Sequence, residues 1–181
     1  MTLEGERIDL ALASEEADLP AVVCLANLAF RAKGVGASWA TEADYIEGQR
    51  LDLPMLRADL ASNPEARLLL WRDDAGKLIG TVWLEPAGDG AWYLGLLTVH
   101  PELQAQGAGR KLLAAGEHAA RNLGADRIRM TVVNVREALI GWYLRRGYRL
   151  TGETKPFPYG DGRFGTPLRG DLEFLLMEKL L

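Results

Sequence analysis

Between Leu96 and Leu113 the chain reads Leu-Leu-Thr-Val-His-Pro-Glu-Leu-Gln-Ala-Gln-Gly-Ala-Gly-Arg-Lys-Leu-Leu, which gathers two glycines and two cations at one turn. Gly107 and Gly109 let a backbone approach an anion closely, and Arg110 and Lys111 add charge beside it. The apolar residues before His100-Pro101 suit the end of a buried strand, and those from Leu112 suit the start of a helix. A helix leaves its first backbone N–H groups without internal partners and carries partial positive charge there, so such a junction is suited to phosphate. The chemistry indicated is pyrophosphate binding.

Two common phosphate loops do not fit. A Walker loop needs Gly, Lys and then Ser or Thr, whereas Gly109 is followed by Arg110, Lys111 and Leu112. A dinucleotide fingerprint needs a small residue three positions after its second glycine, where this chain has Leu112. What remains is Gln104-x-x-Gly107-x-Gly109, directly after Leu97-Thr98-Val99. This resembles the acyl-CoA-binding loop of the GCN5-related N-acetyltransferases (GNAT), whose pattern is Gln or Arg, two residues, Gly, one residue, Gly or Ala. A second stretch agrees. Tyr143, followed after three residues by Gly147 and Tyr148, resembles the family's later signature, an aromatic pair and a Gly-Phe ending. Trp142 before the tyrosine and Tyr148 in place of Phe are departures that keep an apolar or aromatic body. The two stretches stand in the family's order, with one helix and one strand between them, and residues 8–30 resemble the family's opening.

The resemblance implies transfer of an acetyl group from acetyl-CoA, as co-substrate, to an amine. It implies that Leu97, Thr98 and Val99 meet the pantetheine arm through their backbone, as an added strand would. Gln104, Ala105, Gln106, Gly107, Ala108, Gly109, Arg110 and Lys111 would hold the pyrophosphate, and Asn134 would touch the same ligand besides capping a helix. A backbone N–H near Leu97 would face the developing oxyanion, and Tyr143 takes the family's position for the acid that protonates the departing thiolate. An amine is protonated near neutral pH, so a base or a water relay must expose its lone pair. Many relatives carry a carboxylate on the strand before the loop. Residues 92–99 have none, and Glu85, at the end of the neighbouring strand, is the substitute; a solvent-facing residue beside Pro86 is the structural alternative.

The family's first two helices border the acceptor, which makes Trp39, Glu42, Glu47 and Arg50 candidate acceptor contacts; a solvated helix face with one packed indole is the alternative, and for any one of them the stronger one. The stretch 154–170 is long and rich in Pro, Gly and aromatics, and Tyr159, Asp161 and Arg163 are candidates for an acceptor wall. A surface loop or a homodimer contact is the alternative there. The acceptor itself would be a small-molecule or peptide amine. Two other functions stay open: a non-catalytic acyl-CoA-binding or sensing module of the same fold, and an anion-binding domain unrelated to the family.

The elements that must position these residues follow from periodicity. Residues 8–12 alternate as a half-buried strand. Asp18 stands as a helix N-cap, with Pro20 in the first turn and Val22, Val23, Ala26, Ala29 and Phe30 at helical spacing; Cys24 reads as a small buried or half-buried filler. Residues 42–62 read as one or two helices interrupted near Pro54 and stopped at Asn63-Pro64. Residues 67–71 and 78–84 form a hairpin about 73–77, and 91–99 follows as a third strand, apolar on both faces and therefore central. A helix from Leu112 to Leu123 ends at Gly124 and leads to a strand over 127–133, parallel to the third because a helical crossover joins them. Asn134-Val135-Arg136-Glu137 reads as a capping box, opening a helix through Tyr143 to Gly147. A strand over 149–153, a loop over 154–170 and a last strand within 172–180 complete an α/β fold. Its sheet is mixed and mostly antiparallel, with a central parallel pair and helices on both faces.

At 181 residues and 48% hydrophobic, the chain suits a single domain over 1–181. One cysteine excludes an internal disulfide, and with only two histidines no metal site is expected. No apolar run approaches the roughly 20 residues of a membrane span, and the start carries no signal-peptide pattern, so a cytoplasmic protein is expected. The net charge of −4 argues against nonspecific nucleic-acid binding and suits a cationic acceptor.

Overall fold

The computed structural model describes residues 8–14, 17–34 and 36–181. The first strand, β1 (Ala11–Leu12), keeps only two residues of the expected alternating run. Helix α1 (Leu19–Arg31) follows, with Pro20 in its first turn. Asp18 stands before it but makes no capping bond; its carboxylate accepts from the Ser14 N–H at 2.7 Å and pairs with Arg72. Cys24 is exposed on α1, which corrects the expectation of a buried or half-buried filler.

The helices expected over 42–62 reduce to one. The segment 38–50 turns irregularly and contributes only a short strand, β2 (Ile46–Glu47), before α2 (Leu53–Ser62). Pro54 opens α2 rather than interrupting a helix, because a missing N–H costs nothing in the first turn, and Asp52 caps it by accepting from the Met55 N–H at 2.7 Å.

Strands β3 (Arg67–Arg72), β4 (Leu78–Pro86) and β5 (Ala91–Val99) then pair antiparallel in succession. A 3-10 turn (Pro101–Gln106) leads into α3 (Ala108–Asn122), and β6 (Arg127–Val133) returns parallel to β5. Helix α4 (Glu137–Leu144) starts after Arg136, so the expected capping box does not form. Asn134 instead donates through Nδ2 to the Asp171 carbonyl at 2.9 Å and accepts from the Glu173 N–H at 3.2 Å. Strand β7 (Arg149–Pro156) runs further than expected, and β8 (Thr166–Pro167) and β9 (Glu173–Leu180) complete the chain. The main sheet has the order β1-β3-β4-β5-β6-β9-β7, with β5-β6 as its parallel pair, while β2 and β8 form a separate ribbon.

Alternation along the strands divides the core. Leu68, Leu70 and Trp83 pack with α1 and α2, whereas Val82, Leu84 and Leu94 pack with Leu113 and Ala120 of α3 and with Tyr143 of α4. Helices therefore cover both faces, as expected. Fully buried Leu84, Leu112, Ile128 and Met177 each contribute about 1.5–3 kcal/mol by leaving water. Among the described residues no helix is long and apolar enough to cross a membrane.

Candidate active site

The site begins where a strand pair comes apart. β5 and β6 are in register only at Ala91–Tyr93 against Arg127–Arg129, although β5 continues to Val99 and β6 to Val133. The cause lies on the other edge of β5. Thr81 faces Thr98 but Trp83 faces Gly95, so β5 carries one extra residue there and bulges. Leu96, inside the bulge, has φ 45°, a left-handed conformation that costs a non-glycine residue about 1–3 kcal/mol and tends to mark functional sites. The Thr81 and Thr98 hydroxyls hold it by donating to the Leu96 carbonyl at 3.1 and 3.0 Å.

Beyond the last paired residues the strands border a cleft of about 640 Å³, with Leu97 and Val99 on one side and Met130 and Val132 on the other. Tyr93 bridges the two strands, its hydroxyl 3.1 Å from Thr131 Oγ1. Its ring lies across Gly95, where an added Cβ would stand only 2.7 Å away.

The glycine loop stands beside this cleft. Gly107 is left-handed at φ 78°, with open space where a Cβ would stand, and Ala108 and Gly109 open α3 directly after it. The Arg110 and Lys111 N–H groups turn back to the Gly107 carbonyl at 3.1 and 3.2 Å. Gln104 lines the cleft and braces it, donating to the Val99 carbonyl at 3.0 Å and accepting from Ser38 Oγ at 2.9 Å. Ala105, Gln106 and Arg110 are exposed. A Cβ on Gly109 would rest on Trp142 at 3.5 Å, so an indole bounds that position. The Thr98 side chain is buried on its bond to Leu96, which leaves only its backbone for a ligand. Asn134 is not among the cleft-lining residues, since its amide ties the end of β6 to the start of β9.

Tyr143 lines the cleft from α4, 6% exposed, with Trp142 and Tyr148 edge-on at 5.0 and 5.5 Å. Burial pushes its phenol up to about 12. Tyr148 anchors the far side of this aromatic group, donating to Glu117 Oε1 at 2.9 Å, and Lys179 Nζ reaches both Glu117 oxygens at 2.9 and 2.8 Å. Burial, followed by the Glu117 charge, pushes the Tyr148 phenol far above its ordinary value. Glu85 also lines the cleft and accepts from Trp83 Nε1 at 3.0 Å.

The remaining wall is built from the chain before α2 and the segment after β7. Glu42 is buried between Arg31, at 2.6 Å, and Arg136, at 3.0 Å. Burial raises its carboxyl, but Arg136, Arg50 and Arg31 together outweigh that and hold it below the usual range. Trp39 and Arg50 line the cleft as expected of acceptor contacts, whereas Glu47, Tyr159, Asp161 and Arg163 do not. Glu47 is exposed on β2; the Tyr159 hydroxyl accepts from the Leu172 N–H at 2.8 Å and donates to the Arg169 carbonyl at 2.9 Å. Asp161 accepts from the Arg163 N–H at 2.8 Å, and Arg163 forks onto Asp59 of α2 at 2.8 and 2.7 Å.

These residues hold the loop, and Phe157 and Phe164 present it to the cleft. Gly165 sets the closeness: at φ 93°, an added Cβ would lie 2.3 Å from the Glu47 carbonyl. Sequence reasoning missed Tyr93, Arg136, Phe157, Phe164 and Phe174 as cleft residues. The loop phenylalanines were visible as aromatics in a long segment, but Arg136 was absorbed into a capping motif and nothing local distinguishes Tyr93.

The profile of the acetyltransferase (GNAT) family matches residues 29–148. The chain belongs to this family. It is 33% identical over 116 residues to the mycothiol acetyltransferase of Propionibacterium freudenreichii subsp. shermanii, a match that takes in 59% of this chain and 37% of that protein. The chain thus spans well under half of that relative's length. Among solved GNAT-fold structures, it resembles the ribosomal-protein-alanine N-acetyltransferase of Brucella melitensis with a TM-score of 0.67 and 22% identity, over 96% of this chain and 100% of the other. It also resembles a GNAT family acetyltransferase from Elizabethkingia anophelis with acetyl-CoA bound, with a TM-score of 0.65 and 17% identity, over 98% of this chain and 100% of the other. GNAT acetyltransferases use acetyl-CoA. The residues of this chain fit it, with an open left-handed glycine at a helix start and a gap between two unpaired strand ends beside it.

Proposed function

We propose that residues 1–181 form one N-acetyltransferase domain that transfers an acetyl group from acetyl-CoA to a small-molecule or peptide amine by direct attack. The observation that carries this reading is the gap between β5 and β6, which adjoins the Gly107 turn and has Tyr143 in its wall. Backbone groups of Leu97, Thr98 and Val99 pair with the pantetheine amides in the place that β6 leaves open. The N–H groups from Gly107 to Gly109, at the start of α3, receive the pyrophosphate, with Gln104, Ala105 and Gln106 shaping the turn and Arg110 and Lys111 adding charge.

In the reaction the amine nitrogen bonds to the thioester carbon, the carbon–sulfur bond breaks, and the sulfur leaves with the bonding pair. The ammonium proton goes to Glu85 directly or through water, and the Leu97 N–H faces the developing oxyanion. Tyr143 serves as the acid toward the departing sulfur by donating a hydrogen bond to it, and solvent completes the protonation. Trp39 and Arg50 contact the acceptor, while Tyr159, Asp161 and Arg163 shape the loop behind Phe164.

Free thiol release from acetyl-CoA, measured against aminoglycosides, polyamines, amino acids and peptide amino termini, tests the reading. Acceptor-dependent release is expected for at least one class. Tight acetyl-CoA binding with no release for any amine would instead show a binding module, and absent binding would remove the family's activity from this chain.

A further inference from the structure

The net charge of −4 suits a cationic acceptor, but the charges that face the cleft reverse that expectation. Its lining holds Glu42 and Glu85 against Arg50, Arg136 and Lys155. Glu42 is already matched by Arg31 and Arg136, and Glu85 accepts from Trp83. Arg136 is further occupied by the Ala40 carbonyl, and Arg31 by the Phe164 carbonyl.

Arg50 is different. Among the described residues its guanidinium forms no ion pair and no hydrogen bond; only its backbone N–H is engaged, by Asn27 Oδ1 at 2.6 Å. The guanidinium carbon lies 5.6 Å from the Phe30 ring centre and 5.1 Å from that of Phe164. Aromatic faces attract a cation but leave its N–H groups without an acceptor. Burial lowers the Arg50 pKa, the Glu42 charge opposing, yet a guanidinium stays protonated in proteins. Its forked donors match a planar oxyanion in two parallel bonds. Phe157, Phe164 and Phe174 cluster beside it, with ring centres 5.5 to 6.1 Å apart, and all three line the same cleft.

We infer that the acceptor of this enzyme is amphoteric: an amine that also carries a carboxylate or similar oxyanion, gripped by Arg50, on an apolar body lying against the phenylalanine cluster. The inference rests on the acetyl-transfer reading for the amine and on Arg50 and its surroundings for the anion.

The two parts can be tested apart. Thermal shift with phenylacetate, benzoate and hexanoate, each beside its carboxamide, reads the anion site without turnover. At least one acid should raise the melting temperature where its amide does not, and Arg50→Gln should abolish that difference while binding acetyl-CoA like the parent. In turnover, L-phenylalanine should exceed L-phenylalaninamide in kcat/KM by about 10- to 100-fold, and Arg50→Gln should collapse the ratio. The amide's amine is the less basic of the two, so lone-pair availability favours it and a preference for the acid reports the anion site. If no acid is favoured over its amide in the shift assay, or if Arg50→Gln keeps the preference, the inference is overturned even for an active acetyltransferase. If the parent fails to bind acetyl-CoA, the acetyl-transfer reading fails and the carboxylate result still stands by itself.

Discussion

Replacing Tyr143 by phenylalanine separates its hydroxyl from its ring. The ring contacts with Trp142 at 5.0 Å and Tyr148 at 5.5 Å persist in the variant, so stability should change by no more than the worth of one hydrogen bond, about 1 kcal/mol. The chemistry is set by the phenol's pKa, which burial pushes up to about 12. At pH 8 only about one tyrosine in ten thousand would be ionised, so the donor is always loaded. The same shift makes it a poor acid. Against a thiol of reference pKa about 8.5, complete proton transfer is uphill by roughly 5 kcal/mol. On the proposed mechanism Tyr143 would then act by holding a hydrogen bond to sulfur as charge develops, with protonation completed by solvent.

A hydrogen bond to a charged group is worth about 1.5–3 kcal/mol, so Tyr143→Phe should lose about 10- to 100-fold in kcat. Acetyl-CoA affinity should be nearly unchanged. The assay is single-turnover thiol release under saturating acetyl-CoA from pH 6 to 10, where chemistry rather than product release is observed. The parent's rate should rise with pH as the amine loses its proton, without a falling limb from Tyr143 in that range. Undiminished single-turnover rates in Tyr143→Phe would reduce the residue to packing. A falling limb near pH 8–9 that vanishes in the variant would refute the raised pKa.

Gly107→Val places a branched side chain at φ 78°, where the left-handed backbone costs about 1–2 kcal/mol, and should weaken acetyl-CoA binding about tenfold or more, whereas Gly107→Asn should retain the fold. Calorimetric titration reads it, and an unchanged Kd in folded Gly107→Val would mean the turn does not hold the ligand. Glu42→Gln removes the charge buried between Arg31 and Arg136 and should cost about 3 kcal/mol, a melting point lower by roughly 6–12 °C. Because the Glu42 carboxyl is held below its ordinary value of 4.5, its contribution is complete above that pH and is lost as pH falls through the lowered value; the acid limb of the melting profile should be shallower in the variant. Phe164→Ala should raise the acceptor KM while leaving the acetyl-CoA Kd alone, and equal acceptor KM values would remove the segment after β7 from the acceptor wall.

Much of the fold was legible because it is written in short-range patterns. The alternation in β3, the turn at 73–77, the apolar run of β5 and the glycines that end α3 and α4 act through neighbours in the chain, so local propensity and tertiary structure agree. Expectation failed where a side chain had several possible partners. Asn134 and Glu137 have the spacing of a capping box, but the Asn134 amide is drawn to Asp171 and Glu173, 37 and 39 residues further on. Pro54 reads as an interruption because proline breaks a helix interior, whereas the segment before it is tied to α1 by the Asn27 amide, which bonds Arg50 and Leu51, and to β8 through β2.

The sequence by itself determined the glycine turn before α3, the tyrosine on α4 and the family, since those depend on residue types at fixed spacing. Tertiary structure alone decided that β5 bulges at Leu96 and parts from β6, because a bulge depends on the register of β4 against β5 and on two threonine hydroxyls reaching one carbonyl. It also decided which charges in the acceptor wall cancel. Glu42, Arg31 and Arg136 come from three separate stretches, and their meeting at 2.6 and 3.0 Å leaves the Arg50 guanidinium, among the described residues, without an ion pair or hydrogen bond of its own.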